Sequence, residues 1–256
     1  MNGLRKKLGL LCAVLLTVGS GESQNVFLKG EYVEVGVHPS GSFGSSVNAP
    51  SSYHARGANG KLGFVCDVGK DGWNTGTPGY VGDYFVPGDP EEGWGIQWQE
   101  DSSSGTVRRF NNFGLIGLHQ VSKISHYKKR ISNGQQSEWL GSASDGTRSA
   151  NVFQTVTLDT FNTYFTISVL IQNTGSDTLF GLKYFRNVDP DNEQPLTNNY
   201  TTKNYIDFQP GVGGNTDKAV VVAEGLFCGV PCILGTVDSR ANVSIGGFNN
   251  RNVDDL

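Results

Sequence analysis

Apolar and polar positions alternate with a period of two over several short stretches of this chain. Residues 31–37 set Val33, Val35 and Val37 against Tyr32, Glu34 and Gly36. Residues 151–158 set Val152, Gln154 and Val156 against Phe153, Thr155 and Thr157. The pattern runs furthest in residues 163–172, where Phe165, Ile167, Val169 and Ile171 share one face and Tyr164, Thr166, Ser168 and Leu170 the other. Successive side chains of an extended strand point to opposite faces, so this is the signature of half-buried strands. After residue 23, no window of eleven or more residues keeps a helical period without Gly, Pro or a β-branched run.

Further strands are predicted at 61–68, 108–114, 117–123, 126–131, 203–208, 218–223 and 242–245. Residues 91–99 form another, with Trp94, Ile96 and Trp98 on one face. Asn133-Gly134 marks a tight hairpin. Residues 173–177, Asn-Thr-Gly-Ser-Asp, form a turn, after which 178–188 returns as a second apolar run. Five residues are too few for a parallel crossover, so 164–188 is predicted to be an antiparallel hairpin with Phe165, Ile167, Val169 and Ile171 facing the core. Residues 38–60 are mostly Ser, Gly, Asn, Ala and Pro. They read as a long loop or poorly regular excursion, a surface feature of the kind that often carries function. Many short strands and almost no helix select an all-β fold, an antiparallel β-sandwich with long glycine-rich loops. No repeat of blade length is present to suggest a propeller.

The start of the chain sets its address. Arg5, Lys6 and Lys7 precede an apolar run over residues 8–18, and Gly19, Ser20 and Gly21 follow it. A basic end, a short apolar stretch and small residues make a secretory signal peptide over 1–23. The run is too short for a membrane-spanning helix of about 20 residues. Residues 24–256 then make one β-sandwich domain, of the kind with which large secreted surface proteins begin, and the expected location is secreted or cell surface.

Composition narrows the partners. The formal charge is −4, and loss of the signal removes more basic than acidic residues. The acidic balance leaves no cationic footprint to neutralise phosphates, so nucleic acid is not an expected partner. Lys128-Lys129-Arg130 is short enough to be a solvated turn. Glycine is abundant, 35 of 256 residues, without the every-third-residue period of collagen. In Cys228-Gly-Val-Pro-Cys232, Gly229 and Pro231 bend the chain, and a local disulfide between Cys228 and Cys232 is expected. Cys66 is left over, pairs with one of these across the fold, or stays buried and reduced. Asn199-Tyr-Thr and Asn242-Val-Ser are N-glycosylation acceptors if the host is eukaryotic.

Two acidic clusters carry the candidate chemistry. Asp189, Asp191 and Glu193 alternate after the long strand pair, and hard oxygen ligands of this kind suit calcium. The same residues also make an ordinary solvated acidic turn. Glu91 and Glu92 stand beside Trp94, with Trp73 and Trp98 nearby in sequence. Aromatics next to carboxylates can grip sugar rings and hydroxyls. Asp83, Glu91, Glu92, Glu100 and Asp101 are also the acids from which a glycosidase would draw its pair. Against both stands core packing of the tryptophans. His38, His54, His119 and His126 lack metal-motif spacing, and neither a serine-hydrolase elbow nor a phosphate loop occurs. The leading expectation is a non-catalytic extracellular surface, matrix or adhesion module whose partner is an extracellular protein or glycan. A carbohydrate-binding module and a secreted glycan-active enzyme are the alternatives.

Overall fold

A computed structural model of the chain describes residues 24–54, 60–75, 81–85, 92–103, 105–114, 116–248 and 250–255. The signal segment and Glu91 lie outside the described residues.

The strands, in chain order, are β1 (Val26–Lys29), β2 (Val33–Val37), β3 (Phe64–Cys66), β4 (Glu92–Gln99), β5 (Val107–Phe113), β6 (Leu118–His119), β7 (Ser122–Ile131), β8 (Gly134–Ser144), β9 (Ser149–Asp159), β10 (Thr166–Asn173), β11 (Phe180–Val188), β12 (Thr202–Phe208), β13 (Ala219–Gly225) and β14 (Pro231–Thr236). One helical turn, α1 (Gln194–Thr197), and a 3₁₀ turn at Val253–Asp255 complete the described elements. Every pairing is antiparallel, in four sheets ordered β1-β2-β3, β10-β9-β8-β7, β11-β4-β5-β6 and β12-β13-β14. The fold is all-β, as the alternation predicts.

The two four-stranded sheets meet in a shared apolar cluster. Trp94, Ile96 and Trp98 of β4 contact Trp139 and Ala143 of β8 and Ala150 and Val152 of β9. Val169 and Ile171 of β10 and Tyr184 of β11 close it from opposite sides. A second cluster gathers Val26, Leu28, Val33 and Val35 with Val156 and Leu158, and Phe165 and Ile167 pack against it. The predicted inward face is therefore correct: Phe165, just before β10, and Ile167, Val169 and Ile171 within it are partly covered, while Leu170 on the other face is exposed.

The predicted 164–188 hairpin is not formed. β10 pairs with β9, and β11 pairs with β4. The turn at 173–177 is an arch that carries the chain from one sheet to the other. Each strand has one apolar face, and pairing the two side by side would set both faces on one layer. Crossing the core instead lets Val169 and Ile171 meet Leu179 and Tyr184 within the same cluster. The strand expected at 242–245 is absent, and β14 forms where only a bent cysteine loop was expected.

The segment after β2 is also not a simple surface loop. Residues 38–45 are buried, and three successive carbonyls are taken by side-chain donors from the core. Trp139 Nε1 donates to Pro39 O at 2.8 Å, Trp94 Nε1 to Ser40 O at 3.0 Å, and Arg186 Nη2 to Gly41 O at 3.2 Å. Gly41 sits at φ +79°, and a Cβ there would lie 3.2 Å from both Trp139 and Trp94. Only glycine allows this turn to lie flat against two indoles.

The expected Cys228–Cys232 bridge is absent: Cys66, Cys228 and Cys232 are free thiols. Cys232 is committed to the β14 ladder opposite Ala223, and the Cys228 amide donates to Glu193. All three side chains pack against the cluster around Val26 and Leu28. Burial pushes the thiols of Cys66 and Cys232 up to about 12, so both stay protonated and unreactive at neutral pH.

Candidate functional site

The tryptophans of the predicted sugar site do not share a surface. Trp94 and Trp98 are 0% exposed in the intersheet cluster. Trp98 Nε1 donates to Asp145 and Trp94 Nε1 to Ser40 O, so even their polar edges are used. A sugar needs an open ring face, and burying each indole stabilises the fold by roughly 4–6 kcal/mol, as an upper bound. Trp73 lies elsewhere, beside Tyr53, Leu62 and Val65. Its ring is partly exposed and stacks on His54 at 4.2 Å between centroids and 9° between planes.

The acids available for a catalytic pair are held in structural roles. Glu92 is buried and bound by Arg186 through Nε at 2.6 Å and Nη2 at 2.9 Å, and it accepts the Phe43 N–H at 2.8 Å. Asp83 is buried and accepts the N–H groups of Gly63, Phe64 and Phe85. Burial raises it to about 7 against the opposing pull of those amides. Glu100 pairs with Arg108, and Asp101 caps a turn at Ser103. Another buried acid, Glu34, is paired with Lys29 at 2.7 Å and His54 at 2.9 Å.

Asp189, Asp191 and Glu193 diverge. Asp189 is exposed, whereas Asp191 and Glu193 are buried. Glu193 turns into the β13–β14 connection and accepts the N–H groups of Phe227 at 2.8 Å and Gly229 at 3.1 Å, together with that of Cys228. Next to it, Asn192 Nδ2 bonds Ala223 O and Val230 O, each at 2.7 Å. This turn is a latch onto the β12–β14 sheet. Burial, then the neighbouring Asp189, raises Asp191 to about 7. Among the described residues no group of three or more His, Cys, Asp or Glu side chains is arranged to hold a metal ion. Of the glycosylation acceptors, Asn242 is exposed and Asn199 is partly covered, its Oδ1 accepting the Thr201 N–H.

Two surface features carry no signature in the sequence. The first is a cavity of about 440 Å³ between the 38–40 turn and the β6–β7 connection, lined on that second side by His119 and residues 121–123. His38 and His119 stack across it, 5.7 Å apart and 20° from parallel. Asn112 ties the two walls together, donating to Ser40 O and Val121 O and accepting the Val121 N–H. The histidines are 81 positions apart in sequence with no motif between them. Only the fold could bring them together.

The second feature is an apolar surface on the β12–β14 sheet and its turns. Tyr205, Ile206 and Phe208 of β12 are exposed, as are Leu226 and Phe227 of the β13–β14 turn and Ile233 of β14. β12 and β14 are the open edges of that sheet. No helix among the described residues is long and apolar enough to cross a membrane. Comparison of the chain with protein-family models, with curated proteins and with solved structures finds no match.

Proposed function

We propose that this chain is a non-catalytic extracellular surface module, a secreted β-sandwich that works through contact with another extracellular protein. The observation that carries the reading is the apolar surface of the β12–β14 sheet, with Phe227 66% and Ile233 59% exposed. Tyr205 and Ile233 flank Val222 on one face of that sheet, and exposed apolar side chains gathered on one face mark contact sites. The acids that a hydrolase would use support the same reading, because Glu92 and Asp83 are bound by internal donors. Trp94 and Trp98 serve the core, which removes the main support for a sugar platform.

The test expresses the full chain with a C-terminal tag in a secreting host. It compares wild type with Phe227→Lys and Ile233→Lys for export, for retention at the cell surface and for binding to a glycan array. Export, surface retention and its loss in both variants agree with the proposal. Retention inside the cell, or glycan binding that survives both substitutions, would refute it.

A further inference from the structure

We propose that the cavity between the 38–40 turn and the β6–β7 connection binds a small organic anion, a molecule carrying a carboxylate, sulfate or phosphate group. This site is separate from the apolar β12–β14 surface, and the inference does not depend on the contact function assigned there.

Three carbonyl acceptors of the cavity walls are occupied by donors of the interior. Pro39 O is bonded to Trp139, Ser40 O to Trp94 and Asn112, and Val121 O to Asn112, all on the interior side. No lining residue is acidic; the charged or ionisable ones are His38, His119 and Lys123. The tautomer of His38 follows from its neighbours. Its Nδ1 accepts the backbone N–H of Ser40 at 3.1 Å, and a backbone N–H can only donate. Neutral His38 therefore carries its proton on Nε2. The residue is 8% exposed, and among the described residues Nε2 has no partner. Nε2 is not among the side-chain atoms sealed from solvent, so it is a free donor open to the cavity that an accepting ligand can engage.

Lys123 adds the charge. It precedes a register shift in β7, between Lys123 and Ser125, where the strand bulges against β8. Such bulges re-aim side chains next to binding sites. Pro39 and Val121 give the cavity apolar wall, and its volume lies in the range that holds small organic ligands rather than a bare ion. Burial first, then the neighbouring His119, His126, Lys123 and Lys61, pushes His38 down to about 4. His38 thus stays a neutral donor at physiological pH. His119, lowered by burial but more exposed, is the imidazole that takes up a proton when an anion enters. Affinity accordingly strengthens as pH falls.

The test follows the histidine ring Cε1–H signals by NMR while glucuronate, inorganic sulfate or inorganic phosphate is added at constant ionic strength, with chloride as the balancing salt. Glucuronate is expected to saturate the His38 and His119 shifts with a dissociation constant on the order of 1 mM or tighter. Lys123→Gln should weaken that binding about tenfold, and glucuronate should raise the melting temperature of wild type but not of the variant. Lys123 is only partly covered on its strand, so the variant is expected to fold, which circular dichroism verifies. Shifts that never saturate, equal binding by Lys123→Gln, or saturation by inorganic anions alone would overturn the proposal.

Discussion

Arg186 and Glu92, 94 residues apart, are joined by two hydrogen bonds of 2.6 and 2.9 Å on the core face of β11 and β4. The guanidinium also donates to Gln154 Oε1 at 2.8 Å and to the Tyr184 hydroxyl at 3.1 Å, and it lies 4.6 Å over the Phe43 ring. Both side chains are shielded from water. A charge pair in that position tolerates the loss of neither partner alone. Arg186→Met or Glu92→Leu is expected to cost about 3–5 kcal/mol in urea unfolding, because the remaining charge is stranded in the interior. The double substitution should cost less than the sum of the two. Strict additivity in the double-mutant cycle would show that the pair is not coupled.

Ile167 packs against the interior cluster around Val26 and Leu28, whereas Leu170, three residues on, is 63% exposed. Ile167→Ala should lower stability by about 2 kcal/mol through the cavity it leaves. Leu170→Ala should change it by less than about 0.5 kcal/mol. Equal effects would mean that the buried face of β10 is misassigned.

Glu193 holds three backbone amides of the β13–β14 turn. Glu193→Ala should destabilise the protein by about 2 kcal/mol, since those donors lose their acceptor in a partly buried place. Faster hydrogen exchange at Phe227, Cys228 and Gly229 is the specific readout. With Glu193 so engaged, saturating calcium is expected to leave the melting temperature unchanged, and a calcium-dependent rise would mean the carboxylate has another use.

Asp83 gives a pH dependence of definite sign. Burial raises it to about 7 in the folded protein, well above an ordinary carboxylate. The folded state then binds a proton that the unfolded chain has released, so this group's stabilisation is fully present below about pH 4. It is lost as pH rises to about 7, at no more than about 1.4 kcal/mol per pH unit. Asp191 acts in the same direction, while His38 and His126, lowered to about 4, act oppositely between about 4 and 6.5. The measurement is therefore the stability difference between wild type and Asp83→Asn at each pH. That difference should shift against wild type between pH 4 and 7, and a constant difference would show that Asp83 titrates normally.

The strands were legible because alternation is a local property. Val152, Gln154 and Val156 announce an inward face whichever strand lies beside them, and the structure buries all three. Partner choice is not local. β11 resembles the return limb of a hairpin with β10 because the intervening turn is short and polar, but its ladder partner is β4, far earlier in the chain. The tryptophans illustrate the same limit. Trp94 and Trp98 on one face of a strand fit both a sugar platform and a core, and only the opposing Trp139 and Val152 decide between them. The His38–His119 cavity left no trace in the sequence, because neither histidine has a neighbour that marks it.

The turn at residues 39–41 is at once the lining of a cavity and the fastening of the interior. Its three carbonyls are gripped from β8, β4 and β11, so the two large sheets cannot part without releasing it, and it cannot lift while they stay together. Local opening and global unfolding are thereby merged into one event. A ligand settling against His38 would slow amide exchange in the centre of both sheets, at residues it never touches.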